Sequence, residues 1–221
     1  MLAVFPHPPS LMNPTKHVYI IPRWGGNSSS DWYPWLKQQL EQAAAEDGCR
    51  YEVHPLDMPA WDVPVISQAV EHLAKLLPPA KLAEQEVYLV GHSVGCLAIL
   101  HYLAEINKQD PSARVGGVLC VAGWFMVDSP WQDILHWMNA PIDYEQARQA
   151  IPEDKLMVLL SDDDPYTSAY QQNEKLWLER LQARVSILHG RQHFSAQLDL
   201  DVRDAVRDLA GAFDHTETLR R

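Results

Sequence analysis

The chain has 221 residues, 47% of them hydrophobic and 21% charged, which is ordinary for a globular protein and enough for one substantial core. A formal charge of −11 repels phosphate backbones and acidic membrane surfaces, so nucleic acid and membranes are not expected partners. Three widely spaced cysteines, Cys49, Cys96 and Cys120, form no C-x-x-C pair, so neither a disulfide framework nor a metal centre is indicated and a reducing cytoplasm is the expected setting.

Residues 1–16 carry prolines at 6, 8, 9 and 14 and lack both the basic start and the unbroken apolar stretch of a signal peptide; they read as a flexible leader. Residues 17–221 then read as a single domain. Short aliphatic or β-branched runs at 17–22, 51–55, 86–90, 114–121, 155–160 and 184–188 are the expected strands. Segments with apolar residues near 3.6-residue spacing at 32–46, 65–77, 94–107, 170–181 and 202–213 are the expected helices. That alternation predicts an α/β fold, a parallel sheet covered by helices on both faces. Asp31 or Ser30 can cap the first helix, Pro78-Pro79 ends the second, and Asp110-Pro111 ends the third. No run approaches the roughly 18 consecutive apolar residues of a membrane span. One irregular insert, 123–150, interrupts the pattern.

The apolar run Val87-Tyr88-Leu89-Val90, then Gly91-His92-Ser93-Val94-Gly95, then Cys96 to Leu103 reads as strand, G-x-S-x-G, helix. In that context the serine occupies a strained tight turn, and side chains in place of the flanking glycines would collide with neighbouring backbone. Ser93 is therefore the candidate nucleophile. A hydroxyl at its normal pKa needs a histidine base and a carboxylate to orient it, following later strands in the order serine, acid, histidine. After the fifth strand comes Ser161-Asp162-Asp163-Asp164-Pro165-Tyr166. Spacing does not choose among its three aspartates, which also fit a solvated turn but not a calcium loop, for which the alternating ligands are missing. After the sixth comes His189-Gly190-Arg191-Gln192-His193-Phe194. His193 stands out in the loop and can arch over Ser93, whereas His189 sits at the strand's end. An oxyanion needs two backbone donors: the N–H of Val94, and one from Pro22-Arg23-Trp24-Gly25-Gly26-Asn27, where Trp24 is the candidate and Gly25-Gly26 also fits an ordinary turn.

These motifs, with Tyr19-Ile20-Ile21-Pro22 and Asp31-Trp32-Tyr33-Pro34-Trp35-Leu36, resemble the small serine hydrolases of the retinoblastoma-binding protein 9 and YdeN family, within the α/β-hydrolase superfamily. The resemblance implies a three-layer sandwich of about six strands in local order 2-1-3-4-5-6. It selects Asp164, the aspartate directly before proline, as the acid and His193, before phenylalanine, as the base. It also implies hydrolysis of a small ester or amide through an acyl-enzyme, without metal or organic cofactor. The sequence departs from the family at Arg23-Trp24, which replaces a smaller pair, and in the longer, tryptophan-rich insert.

Within that insert Trp131, Ile134, Leu135 and Met138 share one helical face, and Trp124, Phe125 and Trp131 are candidate substrate contacts under a short cap; the same spacing equally fits core packing. Trp32, Tyr33 and Trp35 read as aromatic anchors of the first helix, and Cys96 and Cys120 as small buried hydrophobes. Two rivals use the same residues: a binding module that keeps the fold without turnover, and an acyltransferase or thioesterase with the same triad.

Overall fold

The computed structural model describes residues 14–43 and 46–212. Strands β1 (Thr15–Ile21), β2 (Arg50–Pro55), β3 (Glu86–His92), β4 (Gly117–Val121), β5 (Leu156–Ser161) and β6 (Arg184–Leu188) form one sheet in the order β2-β1-β3-β4-β5-β6. Every neighbouring pair is parallel, so the architecture and strand order are those expected. Both faces of the central strands are covered, which is why Val87 to Val90 is continuously apolar rather than alternating.

Helices α1 (Tyr33–Ala43) and α8 (Leu200–Leu209) bury Leu36, Leu40, Val202 and Val206 against Val18, Ile20 and Val90 on one face. The other face packs against α2 (Ile66–Leu76), α3 (Pro79–Glu84), α4 (Val94–Gln109), α5 (Ile134–Asn139), α6 (Tyr144–Gln149) and α7 (Tyr170–Leu181). Of these, α4 is the central helix, with Leu97 to Leu100 buried throughout. Among the described residues no helix is long and apolar enough to cross a membrane.

Several local expectations are corrected. β1 begins at Thr15, so residues 15 and 16 belong to the sheet rather than to a leader; residues 1–13 lie outside those described. Pro78-Pro79 does end α2, but Pro79 then opens α3, since the first turn of a helix has no use for the N–H that proline lacks. Neither proposed cap serves α1: the Ser30 hydroxyl accepts from the Asn27 N–H at 2.9 Å, and Asp31 pairs with Arg23 at 2.7 Å. In the insert, Trp131 precedes α5 in a turn, its carbonyl accepting from Ile134 N–H, so the four apolar positions do not share one helix. Ile134 and Trp137 are the buried pair instead.

Candidate active site

All six strands run the same way, so their carboxyl ends share one rim, and the order reverses between β1 and β3, where open sheets of this kind hold their ligands. Ser93 stands there between β3 and α4, with φ 55° and ψ −120° and its N–H bonded to the Val121 carbonyl at 2.8 Å. The turn is closed tightly. A Cβ on Gly95 would run into the Ile21 carbonyl oxygen, and one on Gly91 would lie 2.7 Å from Cys96 N, so both glycines of the motif are sterically required.

The three aspartates after β5 each grip a different part of the loop after β6. Asp162 faces His189 Nδ1 at 2.7 Å and accepts from Gly190 N–H at 3.0 Å. Asp163 accepts from the Ser161 hydroxyl at 2.6 Å and from Gln192 N–H at 2.7 Å. Asp164 lies 2.8 Å from His193 Nδ1 and accepts from Tyr166 N–H at 2.9 Å. A carboxylate facing Nδ1 places the ring proton there and leaves Nε2 as the basic position. His189 is 95% exposed in its side chain, and the hydrogen bond to Asp162 raises its pKa. His193 and Asp164 are both nearly buried.

Ser93, Val94 and His193 line one cavity of about 170 Å³ together with Arg23, Trp24, Trp124, Trp131 and Tyr166. Val94 is the first helical residue, so its N–H has no acceptor within the helix. In the facing loop Arg23 N–H goes to the Tyr33 hydroxyl at 3.1 Å, Gly25 N–H to the Trp61 carbonyl and Gly26 N–H to the Arg23 carbonyl. The Trp24 N–H has no partner among the described residues. Ser93 Oγ accepts from the Trp124 indole N–H at 3.2 Å, and among the described residues it has no hydrogen bond to His193. Trp131 meets Trp24 edge-on at 5.1 Å between centroids. Phe125 is not part of the cavity wall: it packs on Trp177, with the Arg180 guanidinium 4.8 Å from its ring centre.

Sequence reasoning assigned no polar duty to three residues beside the site. The Trp32 indole N–H bonds the Phe194 carbonyl at 3.0 Å, the Tyr33 hydroxyl lies 2.8 Å from His92 Nδ1, and His92 Nε2 lies 2.8 Å from the His193 carbonyl. Burial drives the His92 imidazole well below its usual pKa and the Tyr33 phenol well above. The available signal was that these buried aromatic anchors carry polar tips, which a core must satisfy. Among the described residues the donor atoms of His17, Glu52 and His54, on β1 and β2, lie within 4.8 Å of one another. Arg50 already pairs with Glu52 at 3.2 Å, and the charges of Lys37 and Lys81 act on His54, an unfavourable field for a dication.

The model of the serine hydrolase family matches residues 18–207 of the chain. YdeN of Bacillus subtilis is 33% identical over 110 residues, which are 50% of this chain and 52% of YdeN, so that alignment spans about half of the relative's length. The crystal structure of the ydeN gene product superimposes with a TM-score of 0.72 at 25% identity, covering 89% of this chain and 99% of that one. A monoacylglycerol lipase of Paleococcus ferrophilus matches at TM-score 0.61 and 13% identity over 91% of this chain and 97% of its own, a likeness of fold alone.

Proposed function

Because the chain belongs to the serine hydrolase family, we propose that it cleaves a small carboxylic ester or amide through Ser93, with His193 as base and Asp164 as its orienting acid. What supports this most is one cavity lined at once by Ser93, Val94, Trp24 and His193, with the Asp164 carboxylate 2.8 Å behind the imidazole. The substrate carbonyl oxygen enters between the Val94 and Trp24 N–H groups, and its arrival releases Ser93 Oγ from the Trp124 indole toward His193, a tightening common on substrate binding. Oγ then attacks the carbonyl carbon while its proton passes to His193 Nε2, and Asp164 stabilises the imidazolium. Collapse of the tetrahedral intermediate expels the alcohol or amine, which takes that proton. Water, deprotonated by His193, attacks the acyl-enzyme, releases the acid and restores Ser93.

The cavity also bounds the substrate. At about 170 Å³ it is close to the apolar cavity of about 150 Å³ that accommodates benzene, so the group beside the reacting carbonyl is a short chain or a single ring. Trp24, Trp124, Trp131 and Tyr166 supply faces and edges suited to a ring.

A fluorophosphonate probe tests the reading: it is expected to label the wild-type protein, and Ser93→Ala is expected to lose both labelling and turnover of p-nitrophenyl acetate. Folded protein that resists the probe would identify a binding module instead. Acyl transfer to an added alcohol or thiol in preference to water would identify a transferase.

A further inference from the structure

The buried hydrogen bonds around His92 run in a single direction that chemistry fixes. The His193 carbonyl can only accept, so His92 Nε2 carries the ring proton and donates to it at 2.8 Å. A fully buried imidazole stays neutral, which leaves Nδ1 bare to accept from the Tyr33 O–H at 2.8 Å. The Tyr33 oxygen in turn accepts from the Arg23 N–H at 3.1 Å. Every group in this series is satisfied, and neither side chain has solvent access: Tyr33 and His92 are both 0% exposed.

The two ends of the series matter most. It starts at the amide directly before Trp24, the loop that offers the unpartnered N–H, and it finishes on the backbone of His193 itself. Its middle member stands directly before Ser93 in the chain. We propose that Tyr33 and His92 are positioning residues that hold the Arg23-Trp24 loop and the His193 loop in fixed register about Ser93. Other contacts steady the loops one at a time: the Asp31 carboxylate, 3.8 Å from His92 Nδ1, pairs with the Arg23 guanidinium at 2.7 Å and the Trp61 indole bonds the Arg23 carbonyl at 2.8 Å, while the Trp32 indole on the Phe194 carbonyl holds only the second loop. This inference rests on the serine hydrolase reading, since it assigns no chemistry to Tyr33 or His92 themselves.

The test compares Tyr33→Phe, His92→Gln and His92→Leu with Tyr102→Phe, which loses another buried phenol bond, to the Leu77 carbonyl at 2.6 Å, nine residues past Ser93 along α4. Steady-state hydrolysis of p-nitrophenyl acetate, the rate of fluorophosphonate labelling and the melting temperature are measured for each. Tyr33→Phe is expected to lower kcat by about 10- to 100-fold, the scale of a misplaced catalytic group, with KM within about twofold and labelling slowed in parallel. Tyr102→Phe should lower the melting temperature comparably and leave kcat within about twofold. His92→Gln, whose amide can accept from Tyr33 and donate to the His193 carbonyl, should retain more activity than His92→Leu. A Tyr33→Phe protein, folded at the assay temperature and labelled as fast as wild type, would overturn the inference, as would equal losses in Tyr102→Phe. Wild-type protein that the probe does not label would instead sink the hydrolase reading, and this inference with it.

Discussion

Asp164 differs from its two neighbours in what it faces. Asp162 and Asp163 bond an exposed histidine, a hydroxyl and loop amides, and these contacts lower both of their pKa values. Asp164 alone meets His193 Nδ1. Replacing it with asparagine leaves the shape but offers the ring a donor where it needs an acceptor, so Asp164→Asn is expected to lower kcat toward p-nitrophenyl acetate by about 10⁴-fold. Asp162→Asn and Asp163→Asn act only through the loop and should each cost less than about tenfold. A larger loss at Asp163 than at Asp164 would move the orienting acid. Spacing could place these aspartates at a strand's carboxyl end but could not choose among them, because the choice depends on how the loop after β6 folds back over them; the resemblance alone singled out Asp164. The polar work of Tyr33 and His92 was hidden for the same reason: their partners lie 10 to 101 residues away.

At the scale of elements, the insert shapes the cavity without being one helix. Trp131 sits in the turn before α5, 39% exposed, with one edge on Trp24. Trp131→Ala removes wall rather than core, so its melting temperature should change little, as is usual for surface substitutions of about 0.5 kcal/mol or less. Its ester preference should move from acetate and benzoate toward octanoate, read as ratios of kcat/KM; an unchanged profile would mean the cavity ends short of Trp131. The central strands β3, β4 and β5 and helix α7 were legible because doubly buried parallel strands are continuously apolar and α7 follows its 3.6-residue pattern from Tyr170 to Leu181. The insert was not, since an aromatic residue in a turn has the same spacing to its neighbours in sequence as one on a helix. Pro78-Pro79 was half legible: proline ends a helix and opens one equally well.

Across the whole molecule, three histidines among the described residues have their pKa lowered, chiefly by burial. His54 and His92 lie below their usual pKa, and His101 falls to about 4, its Nε2 buried without a partner. The unfolded chain takes up protons on such groups at about pH 6.5 whereas the folded one refuses them, so stability present above that value is lost as the pH falls from 6.5 toward 4. One fully coupled proton is worth about 1.4 kcal/mol per pH unit; partial exposure of His101 reduces its share to about 1–2 kcal/mol over the window. The melting temperature should therefore drop between pH 7 and pH 4.5. His101→Phe, which keeps the ring beside Trp137 but cannot take up a proton, should show a shallower decline. An identical decline in both proteins would assign the acid sensitivity to other groups.

Lys16, in β1, bonds the Ala210 carbonyl, and Lys155, directly before β5, bonds that of Leu209 at 2.7 Å. The last turn of α8 is thereby pinned beside the starting ends of the sheet, and the two extremities of the described polypeptide emerge together on the underside, opposite the mouth. Attachment to a solid support through a cysteine introduced at Pro14 or Ala212 would leave the opening turned toward the liquid, so the immobilised protein should work as fast as the free one.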